Sequence, residues 1–206
     1  MNTNILLTLS VSVLLLSACS TPDAGKPVTY QDVHSTGVVA GVGVESQDVT
    51  AVTDAMVKDI LATPEVVKRS QAARVILDAA YFENESSQRI NKNLLVDRLR
   101  INLQRAAQGK LQFVSRESAD MVAQERDMKR QGVTDAGTLK QAQATAGADY
   151  RLIGRINSLD ARSAQSGTVE RYTQITFELI DLETSLSVWS NLYEFKKGGQ
   201  DDAIYR

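Results

Sequence analysis

The clearest chemical signature in this chain is Leu16-Ser17-Ala18-Cys19, which ends an apolar run and holds the only cysteine among 206 residues. Aliphatic, small, small, cysteine is the lipobox pattern. In lipoproteins that carry it, the thiol takes a diacylglyceryl group, the peptide is cut just before the cysteine, and the new amino terminus is acylated. The apolar or small stretch from Ile5 to Leu16 has the length of a signal-peptide core and is too short to span a bilayer as a helix. Residues 1–18 are therefore predicted to be a signal peptide, and Cys19 the first residue of a tethered chain. Each buried methylene of an acyl chain adds about 0.8 kcal/mol and stable anchoring takes more than one chain, which a triacylated cysteine provides. Met1-Asn2-Thr3-Asn4 has no Lys or Arg, so the free amino terminus must supply the positive charge with which such peptides begin. Ser20 follows the cysteine where lipoproteins held at the inner membrane commonly carry Asp. That pattern points to export to the outer membrane, with the body facing the periplasm. The competing reading is an ordinary buried thiol in an N-terminal helix.

Other chemistry is sparse. His34 is the only histidine, and the sequence contains no HExxH and no Cys ligand set, so a metal site is not expected. Gly41-Val42-Gly43 lacks the third glycine of a dinucleotide fingerprint and the Gly-Lys-Ser/Thr of a P-loop, and reads as flexible backbone. No GxSxG elbow occurs, and a serine nucleophile would have only His34 as a base. Asp78, Glu83, Glu85 and Asp97 are candidates for a carboxylate pair of the glycosidase kind, with solvated surface charge as the simpler reading. Nothing in this inventory argues for catalysis, for a cofactor other than the lipid on Cys19, or for a small-molecule substrate.

Composition bounds the rest. Hydrophobic residues make up 43% of the chain, enough for one ordinary domain, and 23 Lys plus Arg face 25 Asp plus Glu. With near-balanced charge and no long basic stripe, nucleic acid is not an expected partner. No second apolar run approaches the length of a membrane span, so the membrane is reached by the lipid alone.

The elements that must carry any function follow from periodicity. Polar, proline-containing Ser20 to Thr29 reads as a linker, within a lipidated N-terminal region of residues 19–36. Ten to fifteen extended residues at about 3.3 to 3.6 Å each reach on the order of 35 to 55 Å. Past the glycine-containing stretch, Val49, Val52, Met56, Ile60 and Leu61 predict a helix, capped by Asp48 and stopped by Pro64. Ala73 to Phe82 reads as one central strand, followed by a turn at Glu83 to Ser87. Leu95, Leu99, Leu103 and Ala106 line a second helix that ends at Gly109, and a strand follows from Lys110 to Ser115. Glu117 to Gln131 is a charged helix closed by Gly132, and Asp135 caps a small-residue helix ending at Gly147, the two forming a helical hairpin. Asp149 to Asp160, Val169 to Asp181 and Leu186 to Lys196 form an antiparallel meander, and Gly198 to Arg206 (residues 198–206) a frayed tail. The fold class is α/β: a single layered domain over residues 37–197, with a mixed sheet ending in a three-strand antiparallel meander and about four helices mainly on one side.

Alternation assigns the meander's faces. Leu152, Ile156, Ile175, Phe177, Leu179, Leu186, Val188 and Leu192 are expected under the helices. Arg151, Ile153, Arg155, Gln174, Thr176, Glu178, Trp189 and Tyr193 are expected on the open face. Since Trp, Tyr and Arg are enriched at interface hot spots, Arg155, Glu178, Trp189 and Tyr193 are the candidate partner-binding residues. The alternative is a solvated face in which Arg155 and Glu178 pair across strands.

The order of these segments carries a resemblance. A lipobox at Cys19 comes first, then a strand ending near Glu83-Asn84 and a helix with Leu95 and Leu99. After them come Lys110-Leu111-Gln112-Phe113-Val114-Ser115, then Ala146-Gly147-Ala148-Asp149-Tyr150 leading into Leu152-Ile153-Gly154. Glu183-Thr184-Ser185 before Val188-Trp189-Ser190 closes the succession. From about Gly37 to Lys197 it resembles the penicillin-binding protein activator family LpoB, whose domains are similar to the periplasmic domain of CsgG and the N-terminal domain of TolB. The resemblance implies a non-catalytic outer-membrane lipoprotein that binds and stimulates a class A penicillin-binding protein, the bifunctional peptidoglycan synthase. The alternative is a CsgG-like assembly or secretion lipoprotein of the cell envelope. The best-known members carry a long Pro-rich linker, whereas this chain has only Ser20 to Thr29. Either the synthase extends outward to meet the domain, or the partner is different.

Overall fold

The computed structural model describes residues 28–135, 137, 144–200 and 203–204. Cys19, Ser20, most of the linker and most of the small-residue helix after Asp135 lie outside the described residues. Asp32–Arg206 forms one compact unit, and it holds every described helix and strand.

Helix α1 spans Ser46–Ile60, and its first turn is closed by a reciprocal capping box. Glu45 is the N-cap, and Asp48 reaches back to accept from the Glu45 backbone N–H at 2.8 Å. Val52, Met56 and Ile60 are buried at the expected spacing. Pro64 ends that run by opening a second short helix, α2 (Pro64–Val67), at its first position, where a missing N–H costs nothing.

The region read as one strand is two. Strand β1 covers Ala73–Ile76 and β2 covers Phe82–Glu85, separated by a 3-10 turn at Ala79–Tyr81. Asp78 makes the break: its side chain accepts from the Ala80 N–H at 3.2 Å and caps the turn. The expected turn at Glu83 to Ser87 thus begins as strand. Helix α3 (Lys92–Ala106) is capped by Asn91 and buries Leu95, Val96, Leu99 and Leu103. Its last inward residue is Ala107 rather than the exposed Ala106, and Gln108 and Gly109 leave the helix at φ 49° and 85°. Strand β3 (Leu111–Phe113) follows, then helix α4 (Ala119–Arg130), none of whose residues is buried.

Three strands of 13 residues complete the sheet: β4 (Tyr150–Arg162), β5 (Val169–Asp181) and β6 (Ser187–Gly199). β6 therefore extends into the segment expected to be tail. The order is β3-β1-β4-β5-β6, with β2 also paired to β4. β1 and β2 run parallel to β4 along the same edge, and β4, β5 and β6 are the antiparallel meander. Asp181 forms the β5–β6 turn by accepting from the Glu183 and Thr184 N–H groups at 2.9 and 2.8 Å.

The core lies between the sheet and α1 with α3. Phe82 packs against Phe177 with ring centroids 5.5 Å apart, and Leu152, Ile156, Ile175 and Leu179 complete the sheet's side. Gly154 is the close-approach point. A Cβ there would overlap the Phe82 ring and sit 2.8 Å from the Thr176 carbonyl oxygen. Farther along the same face, Arg171 makes two charge-assisted bonds to Asp160, at 2.6 and 2.7 Å, and Ser87 adds a third at 2.7 Å.

Gly154→Ala is expected to destabilise the domain by about 1–3 kcal/mol, the range for overpacking, which urea denaturation will measure. A second prediction concerns pH. The Arg171 hydrogen bonds hold the Asp160 carboxyl below its ordinary value. The pair's contribution is thus fully present above the unfolded value near pH 4 and is lost as pH falls through the depressed folded value. Asp160→Asn should lower Tm at neutral pH, and the gap between variant and parent should close in acid.

Candidate functional site

The sheet face turned away from α1 and α3 is built by β2, β4, β5 and β6. Cross-strand register puts Ile153 opposite Glu178, Arg155 opposite Thr176 and Leu159 opposite Tyr172. On the other side of β5, Thr176 faces Leu192, Gln174 faces Glu194 and Tyr172 faces Lys196. Leu159 is 72% exposed and Leu192 44%, so this face presents apolar side chains among charged ones.

Arg155 and Glu178 both lie exposed on this face, as expected. Their pairing is different from the cross-strand pair considered from sequence. The Arg155 guanidinium binds Glu83 at 2.8 Å and approaches Glu85 at 3.9 Å, because β2 runs parallel to β4 with Glu83 in register with Arg155. These contacts, led by the Glu83 hydrogen bond, hold Arg155 still more firmly in its charged form. Glu178 makes only a minor contribution to that field. Nearby, Tyr172 donates to Glu194 at 2.6 Å, which raises its hydroxyl's pKa, and Lys196 pairs with Glu170 at 2.6 Å.

Trp189 and Tyr193 are on the opposite face. Trp189 is buried, aligned with Leu179, and its indole N–H donates to Asp59 of α1 at 2.7 Å. Tyr193 is half-buried, aligned with Ile175 and packed beside Phe195. The predicted face is therefore reversed from Trp189 onward, where Trp189 and Tyr193 face the helices and Leu192 is exposed; before it, Val188 packs against the core as expected, while Leu186, just ahead of β6, is exposed. A bulge at Val188, between the Leu179–Trp189 and Ile180–Ser187 pairs, sets the strand's register at its start. Leu159, Tyr172 and Leu192 are the face's large side chains instead. The Tyr172 position is accessible from β5 alternation, since it falls two residues before outward Gln174.

The remaining candidates take structural positions. His34 is exposed, and its backbone N–H donates to Asp32. Among the described residues no cluster of His, Cys, Asp and Glu is arranged to hold a metal ion. Gly41-Val42-Gly43, read as flexible backbone, is tied down at three points. The Gly41 N–H donates to Glu45 at 2.7 Å, Val42 is buried, and the Gly43 carbonyl accepts from Lys197 at 2.9 Å. The carboxylates meet arginines: Asp78 pairs with Arg151, Glu83 and Glu85 with Arg155, and Asp97 with Arg100. No helix among the described residues is long and apolar enough to cross a membrane.

A family profile described as "Peptidoglycan-synthase activator LpoB" matches residues 48–195, from the first turn of α1 into β6. Among solved structures, the LpoB C-terminal domain from Escherichia coli aligns at 17% identity. The alignment covers 72% of this chain and 98% of that one, with a TM-score of 0.43. The LpoB C-terminal domain from Salmonella enterica aligns at 16% identity, covering 68% and 94%, with a TM-score of 0.40. Comparison with curated protein sequences gives no match. With the profile spanning most of the compact unit, the chain belongs to the LpoB family of peptidoglycan-synthase activators.

Proposed function

We propose that this chain is an outer-membrane lipoprotein, acylated on Cys19 and sorted by Ser20, that binds and stimulates a class A penicillin-binding protein from the periplasmic side. The observation that carries the reading is the family match over residues 48–195. The chain itself performs no reaction and uses no cofactor beyond its lipid. Its effect is allosteric: it binds the synthase's active state better than the inactive one, and the ratio of those affinities limits the stimulation.

The proposed contact surface is the open face of β4, β5 and β6. Arg155 and Glu178 provide charge at its centre, and Leu159, Tyr172 and Leu192 provide the apolar area that alternation alone assigns to Trp189 and Tyr193. Mixed charge with exposed apolar side chains suits a partner surface that forms and separates.

The full chain, purified in mild detergent, is expected to raise glycan polymerisation or cross-linking by the cognate synthase. No binding together with no rate change would sink the reading. Arg155→Glu places a third carboxylate beside Glu83 and Glu85 and should weaken synthase binding by about tenfold or more, as expected for losing one charge-assisted contact at an interface. Surface plasmon resonance at fixed salt will show it. Palmitate labelling should mark the chain, and Cys19→Ser should abolish both the label and sedimentation with outer membranes.

A further inference from the structure

A second surface lies where α4 stands beside the sheet. Helix α4 is 12 residues long and amphipathic, yet none of its residues is fully buried. Between it and the outward sides of β1 and β3 runs a groove whose described charged lining is wholly basic: Arg74, Arg116, Arg126, Lys129 and Arg130. This concentration occurs in a chain whose net charge is −2. Lys129 also contacts Glu125 at 3.4 Å, a pair within the helix whose carboxylate does not enter the groove lining. Phe113, Val114, Ala119 and Val122 provide apolar walls.

We propose that this groove binds an extended, acidic segment of a protein partner. Arg126 is already engaged, and Arg74, Arg116 and Arg130 have planar forks that suit carboxylates with two hydrogen bonds each. Its apolar walls match the alternate side chains of such a segment and would be left unused by a phosphate polymer. Among the described strands, β3 stands at the end of the sheet order and pairs with β1. The groove and the open face of β4 to β6 are on the same side of the sheet. The groove therefore adds an acidic-peptide subsite, whether or not the partner on the open face is the synthase.

The test uses the full chain in mild detergent and a fluorescent octapeptide alternating Glu and Val. Anisotropy should show saturable binding that weakens with salt. Arg74→Ala with Arg130→Ala should reduce affinity by about tenfold or more, from the loss of charge-assisted contacts, while Lys58→Ala with Arg89→Ala, which removes equal charge elsewhere, should change it less than about twofold. Matching thermal melts will establish that both double variants fold. A photoreactive group on the peptide should label α4 or β3 of the unaltered protein, a result independent of any variant. The proposal is overturned by absence of saturable binding, by equal losses in both double variants, or by labelling away from α4 and β3. It is also overturned if phosphatidylglycerol vesicles bind through Arg74 and Arg130 while the peptide does not. Synthase stimulation is read separately, so the two proposals can fail independently.

Discussion

Phe82 lies on Gly154, and the absence of a Cβ at that glycine is what allows β2 to sit against β4 at all. The contact fixes register. With Phe82 opposite Gly154, Glu83 must fall opposite Arg155 and Glu85 opposite Asn157, so a core contact decides where the charged cluster on the open face appears. It also constrains the chain before it. β1 pairs lower on the same edge of β4, at Tyr150 and Arg151, and the backbone must move along that edge between Ile76 and Phe82. The Asp78-capped turn accomplishes this, while Arg151 beside Asp78 and 4.1 Å above the Tyr81 ring compensates the buried carboxylate.

The other end of the sheet depends on Lys197. Its ammonium group reaches Asp48 at 2.5 Å, Glu45 at 3.5 Å and the Gly43 carbonyl at 2.9 Å, with its side chain mostly covered. Both carboxylates also make the capping box of α1, so the last strand is fastened to the start of the first helix. Such a pair contributes less to net stability than to specificity, because its desolvation offsets much of its attraction. Here the specificity is positional: β6 is held in one register beneath the Gly41 to Glu45 strap, with Trp189 directed to Asp59.

These dependencies explain what is legible in the sequence. Helices α1 and α3 follow from apolar spacing because one face of each meets the core, and β4 and β5 follow from strict alternation. The two departures of consequence both involve partners distant in sequence. Ala73 to Phe82 is apolar enough to read as continuous, and only pairing to β4 shows that it must break. In and just before β6, Leu186, Val188 and Leu192 share one parity while Trp189, Tyr193 and Phe195 occupy the other. Local pattern gives both faces a claim, and the register with Leu179 and Ile175 decides between them. The lipobox is legible for the opposite reason, since its chemistry is read from four consecutive residues and depends on no fold.

For an activator, what matters is the surface that remains after the core has taken what it needs. Helices α1 and α3 cover one side of the sheet, leaving the β4 to β6 face and the α4 groove on the other. A protein that acts by favouring one state of a partner gains nothing from affinity common to both states, and each tenfold of preference requires about 1.4 kcal/mol of differential contact. Exposed Leu159 and Leu192 can supply that difference only where a partner's active state presents matching apolar area. On the proposed contact surface, Arg155 and Glu178 would instead act over distance, aligning the encounter and rejecting mismatched charge. A cationic groove beside that face extends the same division, because a mobile acidic segment captured there would raise the local concentration of the surface attached to it without itself discriminating between states. On these two proposals, state selection would belong to the β4 to β6 face, and the groove beside α4 would govern how often that face is engaged.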